Sequence, residues 1–164
     1  MLSIRKALPE DIGRIREIYS YYVENTAVSF EFETPSKSEM ERRYCEISEN
    51  YPYLVALSDG IVSGYAYAHS FIDRAAYKIS AEVTIYVDKS STGLGAGKML
   101  YKELEKELES TDIRNLYALV TYPGWGSIEF HKKMGYRIKG IMDNCGIKNG
   151  RYYSVAYMEK IIKK

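Results

Sequence analysis

The residues with the clearest chemical potential lie in one stretch in the middle of the chain. Gly93, Gly95 and Gly97 occupy alternate positions, and Lys98 follows them. Glycine removes side chains where a ligand approaches the backbone, and the first amides of a helix have no acceptor within the helix. The partial positive charge at a helix N-terminus also attracts anions. The stretch 93–98 therefore predicts a cradle for a phosphate or pyrophosphate group.

The spacing of this stretch argues against two common nucleotide-binding classes. A P-loop requires Gly-x-x-x-x-Gly-Lys-Ser/Thr, but Thr92 stands at its first glycine and Met99 at the hydroxyl that binds Mg²⁺. The dinucleotide fingerprint Gly-x-Gly-x-x-Gly requires glycine where Lys98 stands, and it belongs to an opening βαβ unit. A strand-to-helix turn whose glycines serve packing alone remains an alternative.

A strand and a helix flank the glycine stretch. Residues 83–87 read Val-Thr-Ile-Tyr-Val, and residues 96–108 carry an apolar stripe at helical spacing. Glu82 is the only acidic residue of that strand and leads directly into the cradle. A carboxylate in this position is a candidate general base. A solvent-facing residue on a half-buried strand is the alternative interpretation of Glu82.

Composition limits the remaining possibilities. The chain has 164 residues, which predicts one domain with one substantial core. A formal net charge of +1, with both signs interspersed, predicts no nucleic-acid or membrane partner. Cys45 and Cys145 are far apart and lack metal-ligand spacing, so we expect no disulfide framework and no metal. The N-terminus has no apolar signal region, and a cytoplasmic location is predicted.

Hydrophobic periodicity and turn residues predict alternating strands and helices along the whole chain. The predicted strands span residues 2–7, 53–57, 61–71, 82–87, 116–121, 136–147 and 152–158. The predicted helices begin at Pro9, after Pro35, at Ala96 and at Ser127. The last two strands are joined by Asn149-Gly150, a typical hairpin turn.

Three segments together resemble the GNAT N-acetyltransferase superfamily: the strand with Glu82, residues 92–97 (Thr-Gly-Leu-Gly-Ala-Gly) and residues 127–136 (Ser-Ile-Glu-Phe-His-Lys-Lys-Met-Gly-Tyr). Further segments, among them 64–68 (Gly-Tyr-Ala-Tyr-Ala) and 74–77 (Arg-Ala-Ala-Tyr), resemble its phosphinothricin acetyltransferase-like branch. The resemblance covers nearly the whole chain and implies one GNAT domain over residues 1–164. The implied α/β (α+β) fold is a mixed, mostly antiparallel twisted sheet of about seven strands with about four flanking helices and splayed central strands.

The resemblance implies acetyl-CoA as co-substrate, with pantetheine inserted between the splayed strands and the pyrophosphate on the glycine stretch. The residues implied to bind it are Ile85, Tyr86, Val87, Gly93, Leu94, Gly95, Ala96, Gly97, Lys98 and Ser127. Two positions depart from the family pattern. Thr92 replaces an arginine or glutamine, and Gly124 replaces a frequent asparagine, so weaker cofactor binding is expected.

The chemistry implied is direct attack of an amine on the thioester in a ternary complex. Glu82 would accept the proton of the amine, and His131 would serve the departing thiolate, because imidazole titrates near working pH. Arg74, with its planar fork of donors, would bind the acidic group of a small amino-acid-like acceptor of the phosphinothricin or methionine sulfoximine type. Phe30 and Tyr77 would line that pocket.

Other functions remain open at this point. A GNAT enzyme could act on a polyamine, an aminoglycoside or a protein N-terminus, and the acidic residues Glu31, Glu33 and Asp73 suit a polyamine. A non-catalytic acyl-CoA-binding module is the alternative from a different class. The resemblance also implies a homodimer.

Overall fold

The computed structural model describes residues 1–163 of the chain. Within them, the predicted seven strands and four helices are present. The strands are β1 (Leu2–Lys6), β2 (Tyr53–Ser58), β3 (Ile61–Ser70), β4 (Ser80–Val87), β5 (Asn115–Tyr122), β6 (Arg137–Lys148) and β7 (Arg151–Ile161). The helices are α1 (Ile12–Asn25), α2 (Lys37–Ser48), α3 (Ala96–Glu109) and α4 (Trp125–Lys133). No helix in this range is long and apolar enough to cross a bilayer.

The strands form one sheet in the order β1-β2-β3-β4-β5-β7-β6. Every neighbouring pair is antiparallel except β4 and β5, which run parallel. This parallel ladder is short, because it begins at Ser80 opposite Asn115 and ends at Glu82 opposite Tyr117. Beyond Glu82 the two central strands separate, which confirms the predicted splay.

Two hydrophobic clusters cover the two faces of the sheet. One joins α3 to the aliphatic side of β2–β5, with Leu100, Leu104 and Leu116 fully buried. The other joins α1 and α2 to the opposite side, where Ile12 and Ile15 are fully buried. Alternate residues of a strand point to opposite faces. The sheet therefore separates an aliphatic layer from a second layer that is rich in tyrosine.

Tyrosine rings form much of the α1 and α2 layer near the middle of the sheet. The Tyr53 and Tyr67 ring centroids are 4.8 Å apart, and the Tyr65 and Tyr86 centroids are 5.6 Å apart. Tyr19 of α1 meets Tyr86 edge-on at 5.0 Å. Because a tyrosine joins a large apolar ring to a polar hydroxyl, this layer packs densely while leading toward a polar cavity.

The helix boundaries differ from the prediction at one functional position. The helix predicted to begin at Ser127 begins at Trp125, two residues earlier, so part of the predicted turn is helical. Gly124 is the residue before this helix, and a Cβ atom there would lie 2.3 Å from the Thr121 carbonyl oxygen. That contact is far too short for any side chain. The glycine at this departure from the family pattern is therefore required by the local backbone.

Candidate active site

The glycine stretch forms a tight turn that leads from β4 into α3. A short 3-10 helix, Lys89–Ser91, follows β4, and the Asp88 carboxylate accepts a hydrogen bond from the Ser90 amide at its start. Gly95 precedes α3 with a φ of 94°, a left-handed conformation that side chains disfavour. The amides that open α3 have no acceptor within the helix. The glycine turn and the helix start that the predicted anion cradle requires are therefore both present.

A cleft of about 560 Å³ lies against this turn. Every residue predicted to bind acetyl-CoA lines the cleft except Leu94. The Leu94 side chain is exposed, at 67% of its accessible surface, so the prediction for Leu94 rests on its backbone amide alone. Thr92 lines the cleft, and its hydroxyl donates a hydrogen bond to the Lys89 carbonyl at 2.9 Å.

The edge of β4 that faces β5 beyond Glu82 forms one side of the fork between the two strands. Because the ladder between β4 and β5 ends at Glu82, part of the backbone of residues 83–87 has no strand partner there. Unpaired strand edges accept extended ligands in the manner of a further strand. The Val87 carbonyl already accepts a hydrogen bond from the Tyr22 hydroxyl of α1. This contact ties α1 to the end of β4.

A second cavity, of about 400 Å³, occupies the other side of the fork. Glu82 lies in its wall, together with Thr84 and Tyr86 of the same strand face. The Glu82 side chain is 23% exposed, and its nearest basic atom is the Nε2 of His69 at 3.8 Å. Burial raises the pKa of the Glu82 carboxyl, and His69 partly offsets the rise. A carboxylate with a raised pKa is a stronger base near neutral pH.

The two cavities are adjacent. Both are lined by Val28, Ile85, Tyr86, Ser127 and His131. We call the cleft of about 560 Å³ the cofactor cleft. A group that enters through it can therefore reach the second cavity at the point where β4 and β5 separate. We call the second cavity the acceptor cavity.

His131 is buried at this junction, and both of its ring nitrogens are occupied. Its Nδ1 lies 2.7 Å from the Ser127 carbonyl, which can only accept a hydrogen bond, so Nδ1 carries the proton. Its Nε2 lies 2.8 Å from the Tyr101 hydroxyl, which therefore donates to it when the ring is neutral. Burial lowers the pKa of His131. Burial thus favours the neutral imidazole, whose Nε2 accepts the hydrogen bond of the Tyr101 hydroxyl.

The predicted acceptor residues lie further out. Arg74 is exposed and caps a 3-10 helix, Ala75–Ile79, and neither Arg74 nor Tyr77 lines either cavity. Phe30 also lies outside both linings and packs 6.0 Å from the ring of Tyr153, which is in the wall of the acceptor cavity. In the single chain, neither Tyr77 nor Phe30 reaches the wall of these cavities, and their contact with the acceptor stays a prediction. Arg74 stands on the segment that joins β3 to β4, next to the Glu82 end of the strand.

Two residues of the site are absent from the sequence prediction. Tyr101 lies on α3, where a tyrosine at an apolar position looks like ordinary packing. His69 is nearly as inconspicuous, because its relation to Glu82 depends on the register between β3 and β4. The sequence feature that could have indicated Tyr101 is its hydroxyl within the otherwise apolar stripe of α3. No sequence feature links His69 to Glu82 until the register between β3 and β4 is known.

Lys148 holds one wall of the site in place. Its side chain is buried, and its ammonium donates hydrogen bonds to the Val23 carbonyl at 2.6 Å and the Ser29 carbonyl at 2.7 Å. These bonds fix the end of α1 and the loop after it. Residues Ala27 and Val28 of that loop line the acceptor cavity. Burial lowers the pKa of Lys148.

No group of three or more histidine, cysteine, aspartate or glutamate side chains within residues 1–163 is arranged to hold a metal ion.

Comparison with known proteins agrees with this geometry. The sequence model of the acetyltransferase (GNAT) domain matches residues 4–156. The phosphinothricin N-acetyltransferase of Streptomyces viridochromogenes is 30% identical over 159 residues, which cover 97% of this chain and 87% of that protein. The L-methionine sulfoximine/L-methionine sulfone acetyltransferase of Salmonella typhimurium is 27% identical over 160 residues, which cover 96% of this chain and 93% of that protein.

A solved structure is similar over the same range. The GNAT superfamily phosphinothricin acetyltransferase of Sinorhizobium meliloti, crystallised with acetyl-CoA, superposes with a TM-score of 0.94 at 36% identity, covering 98% of this chain and 88% of that one. This chain belongs to the GNAT acetyltransferase family. The predicted fold, the predicted class of enzyme and acetyl-CoA as its co-substrate are thereby confirmed.

Proposed function

We propose that the chain transfers the acetyl group of acetyl-CoA to the amine of a small amino-acid-like compound, by direct attack in a ternary complex. One observation carries this proposal: the cofactor cleft opens into the acceptor cavity at the fork of β4 and β5, with the Glu82 carboxylate in the cavity wall. A thioester held in the first cavity then faces an amine held in the second. Such alignment of reactants is itself a large part of catalysis.

Glu82 is proposed as the general base. An amine at neutral pH is mostly ammonium, and it must lose a proton before it can attack a carbonyl. Burial raises the pKa of the Glu82 carboxyl toward the working pH, which strengthens it as a proton acceptor. The proton passes to Glu82 directly or through one water molecule in the cavity.

Tyr101 and His131 are proposed to serve the leaving group. Tyr101 lines the acceptor cavity, and its hydroxyl is hydrogen-bonded to His131. Burial raises the pKa of Tyr101, so the phenol keeps its proton. To donate a hydrogen bond to the developing thiolate, the phenol must turn its single proton away from Nε2 of His131. This assignment moves the direct contact from His131, as predicted, to Tyr101.

The cofactor is proposed to lie along residues 85–87 and to place its pyrophosphate on the amides that open α3. Acetyl-CoA supplies the thioester when bound. The predicted cleft residues other than Leu94 support this placement, because they all line the same cleft. Backbone amides also tolerate changes in neighbouring side chains, such as Thr92.

The acceptor is proposed to be an amino-acid analogue that carries an acidic group. Two similar proteins are named for phosphinothricin and for methionine sulfoximine or sulfone. Arg74 is our candidate for the acidic group, because it is an exposed guanidinium on the segment that leads into the Glu82 strand. A polyamine acceptor has less support, since the Glu31 carboxylate is already paired with Arg43 at 2.7 Å.

Thiol release from acetyl-CoA across a panel of amines tests this function. The panel contains phosphinothricin, methionine sulfoximine, ordinary amino acids, spermidine and a peptide with a free N-terminus. We expect turnover with the amino-acid analogues, and a KM for them about 10- to 100-fold higher in Arg74→Ala, the loss expected for a charged hydrogen bond. Lys78→Ala removes a charge from the same exposed segment and serves as the control.

Two outcomes of the panel contradict the proposal. If only spermidine or only the peptide is acetylated, the acceptor must be reassigned. If acetyl-CoA binds but no amine is acetylated, the chain is a binding module. An unchanged KM in Arg74→Ala removes the support for this arginine.

We also propose one GNAT domain over residues 1–164, a homodimer and a cytoplasmic location. The hairpin of β6 and β7 exposes Met142, Ile147 and Tyr152 at 48%, 49% and 69%, an apolar surface suited to a second copy. Both cysteines are free, as in a reducing compartment. Light scattering tests the homodimer, and cell fractionation tests the cytoplasmic location.

A further inference from the structure

His69 of β3 stands directly opposite Glu82 in the antiparallel ladder between β3 and β4. Cross-strand partners share a face of the sheet, so both side chains project toward the same side. The Nε2 atom of His69 lies 3.8 Å from Oε1 of Glu82. Among residues 1–163, His69 is the only basic side chain within 4 Å of this carboxylate. None of the hydrogen bonds described in this range reaches it.

The orientation of the His69 ring is fixed. Its Nδ1 lies 2.9 Å from the Ser70 carbonyl, which can only accept, so Nδ1 carries a proton in the neutral ring as well as in the charged one. A second proton on the ring is therefore carried by Nε2, the atom that faces Glu82. The side chain is 33% exposed, so protons reach it from solvent.

The other titratable groups around Glu82 stay neutral. Tyr67 lies on the same strand as His69, and Tyr117 of β5 stands opposite Glu82 in the parallel ladder. Burial raises the pKa of both phenols. The Tyr117 hydroxyl donates to the Glu159 carboxylate at 2.9 Å, which orients it away from Glu82. His69 is thus the basic group that faces Glu82 across the β3–β4 ladder.

We propose that His69 is a positioning residue for the general base: its protonated ring holds the Glu82 carboxylate ionised and extends acetyl transfer toward lower pH. The inference rests on the proposed role of Glu82. Its physical basis is that a positive charge within 4 Å favours the charged form of a carboxyl group, while burial alone disfavours it. A protonated imidazole at this distance therefore keeps the carboxylate ionised where burial alone would favour its protonation.

The pH dependence of kcat/KM in two opposite variants tests this role, with one acceptor used throughout so that ionisation of its amine is common to all. In His69→Gln the neutral amide supplies no charge, and the midpoint of the acidic limb should rise by about one pH unit. In His69→Lys a permanent charge stands near Glu82, and the midpoint should fall below that of the wild type. A merely structural role would lower the plateau in both variants and leave the midpoints in place.

The control is Lys6→Gln. Lys6 and Glu107 also lie 3.8 Å apart, on a part of the surface remote from the cavity, so this variant removes one positive charge from a similar pair. The midpoint of its acidic limb should match that of the wild type. An equal shift in Lys6→Gln would indicate a general effect of net charge and would overturn the inference.

A second measurement reads the carboxyl group itself. Titration of carboxyl-labelled glutamate by NMR, with the Glu82 signal assigned by its loss in Glu82→Gln, should show the Glu82 midpoint rising in His69→Gln and falling in His69→Lys. Unmoved Glu82 midpoints overturn the inference. A moved titration with unmoved rate profiles shows that the two groups are coupled while Glu82 is not the base, and it overturns the proposed role of Glu82 as well.

Discussion

The cofactor cleft and the acceptor cavity adjoin at one fork but are built in different ways. The cleft is lined mainly by one continuous stretch, from the end of β4 through the glycine turn into α3, and its donors are backbone amides. The acceptor cavity collects side chains from β4, β5, α3, α4, the loop after α1 and β7. A backbone site depends on conformation and tolerates side-chain changes. A side-chain site depends on the identity of single residues.

The largest expected effect comes from a substitution in the acceptor cavity that leaves the cofactor cleft unchanged. Glu82→Gln keeps the shape of the carboxyl group and removes its capacity to accept the amine proton. We expect kcat/KM to fall by about 10²- to 10⁴-fold, the range typical of a lost general base. Binding of acetyl-CoA, measured by calorimetry, should stay within about twofold of the wild type, because the anion cradle is unaltered. An unchanged rate and pH profile would show that Glu82 is not the base.

A smaller effect breaks the cofactor side alone. Gly95 has a φ of 94° and nothing within 4 Å of an added Cβ, so Gly95→Ala changes only the backbone preference. A left-handed residue with a side chain costs about 1 to 2 kcal/mol, which corresponds to a KM for acetyl-CoA about 5- to 30-fold higher. The KM for the acceptor should change little.

Gly60 provides the matched control for this substitution. It has a φ of 84° in the turn between β2 and β3, also with nothing within 4 Å. Gly60→Ala imposes similar backbone strain away from both cavities, so it should reduce stability and leave the KM for acetyl-CoA unchanged. If both variants raise that KM equally, the cradle does not depend on the conformation of Gly95.

The smallest effect concerns stability and sharpens the difference between the two regions. Burial raises the pKa of Glu82 in the folded state, so between the unfolded and folded pKa values the native protein binds more protons than the unfolded chain. The free energy of unfolding therefore falls as pH rises through this window. Glu82→Gln removes this dependence, and above the window it should be more stable than the wild type in urea unfolding.

If the difference in unfolding free energy between Glu82→Gln and the wild type is the same at pH 5 and at pH 8, this expectation is contradicted. Above this pH window, Glu82→Gln is thus predicted to raise the free energy of unfolding while it lowers kcat/KM. A catalytic carboxylate held in a half-buried cavity costs stability, whereas the cradle relies on helix amides that any helix start exposes.

Much of the fold follows from patterns along the chain. The hairpin turn at Asn149 and Gly150 has the left-handed φ values of 49° and 73° that its sequence predicts. The stripe of α3 is buried through Leu100, Leu104 and Leu108, as its spacing indicates. The predicted start of α4 is two residues too late, because Pro123, Gly124 and Gly126 are typical turn residues and hide the first turn of the helix.

By itself the sequence determined the cofactor side, because glycine conformations, helix starts and strand alternation are local properties of a few consecutive residues. It also supplied Glu82 as the acidic residue of the central strand. Only the tertiary structure decided that β4 and β5 separate after Glu82, that Tyr101 reaches His131, and that Arg74 stays outside the cavity wall. It likewise brought His69 to Glu82. These relations depend on strand register and on packing between distant segments, which local residue preferences do not encode.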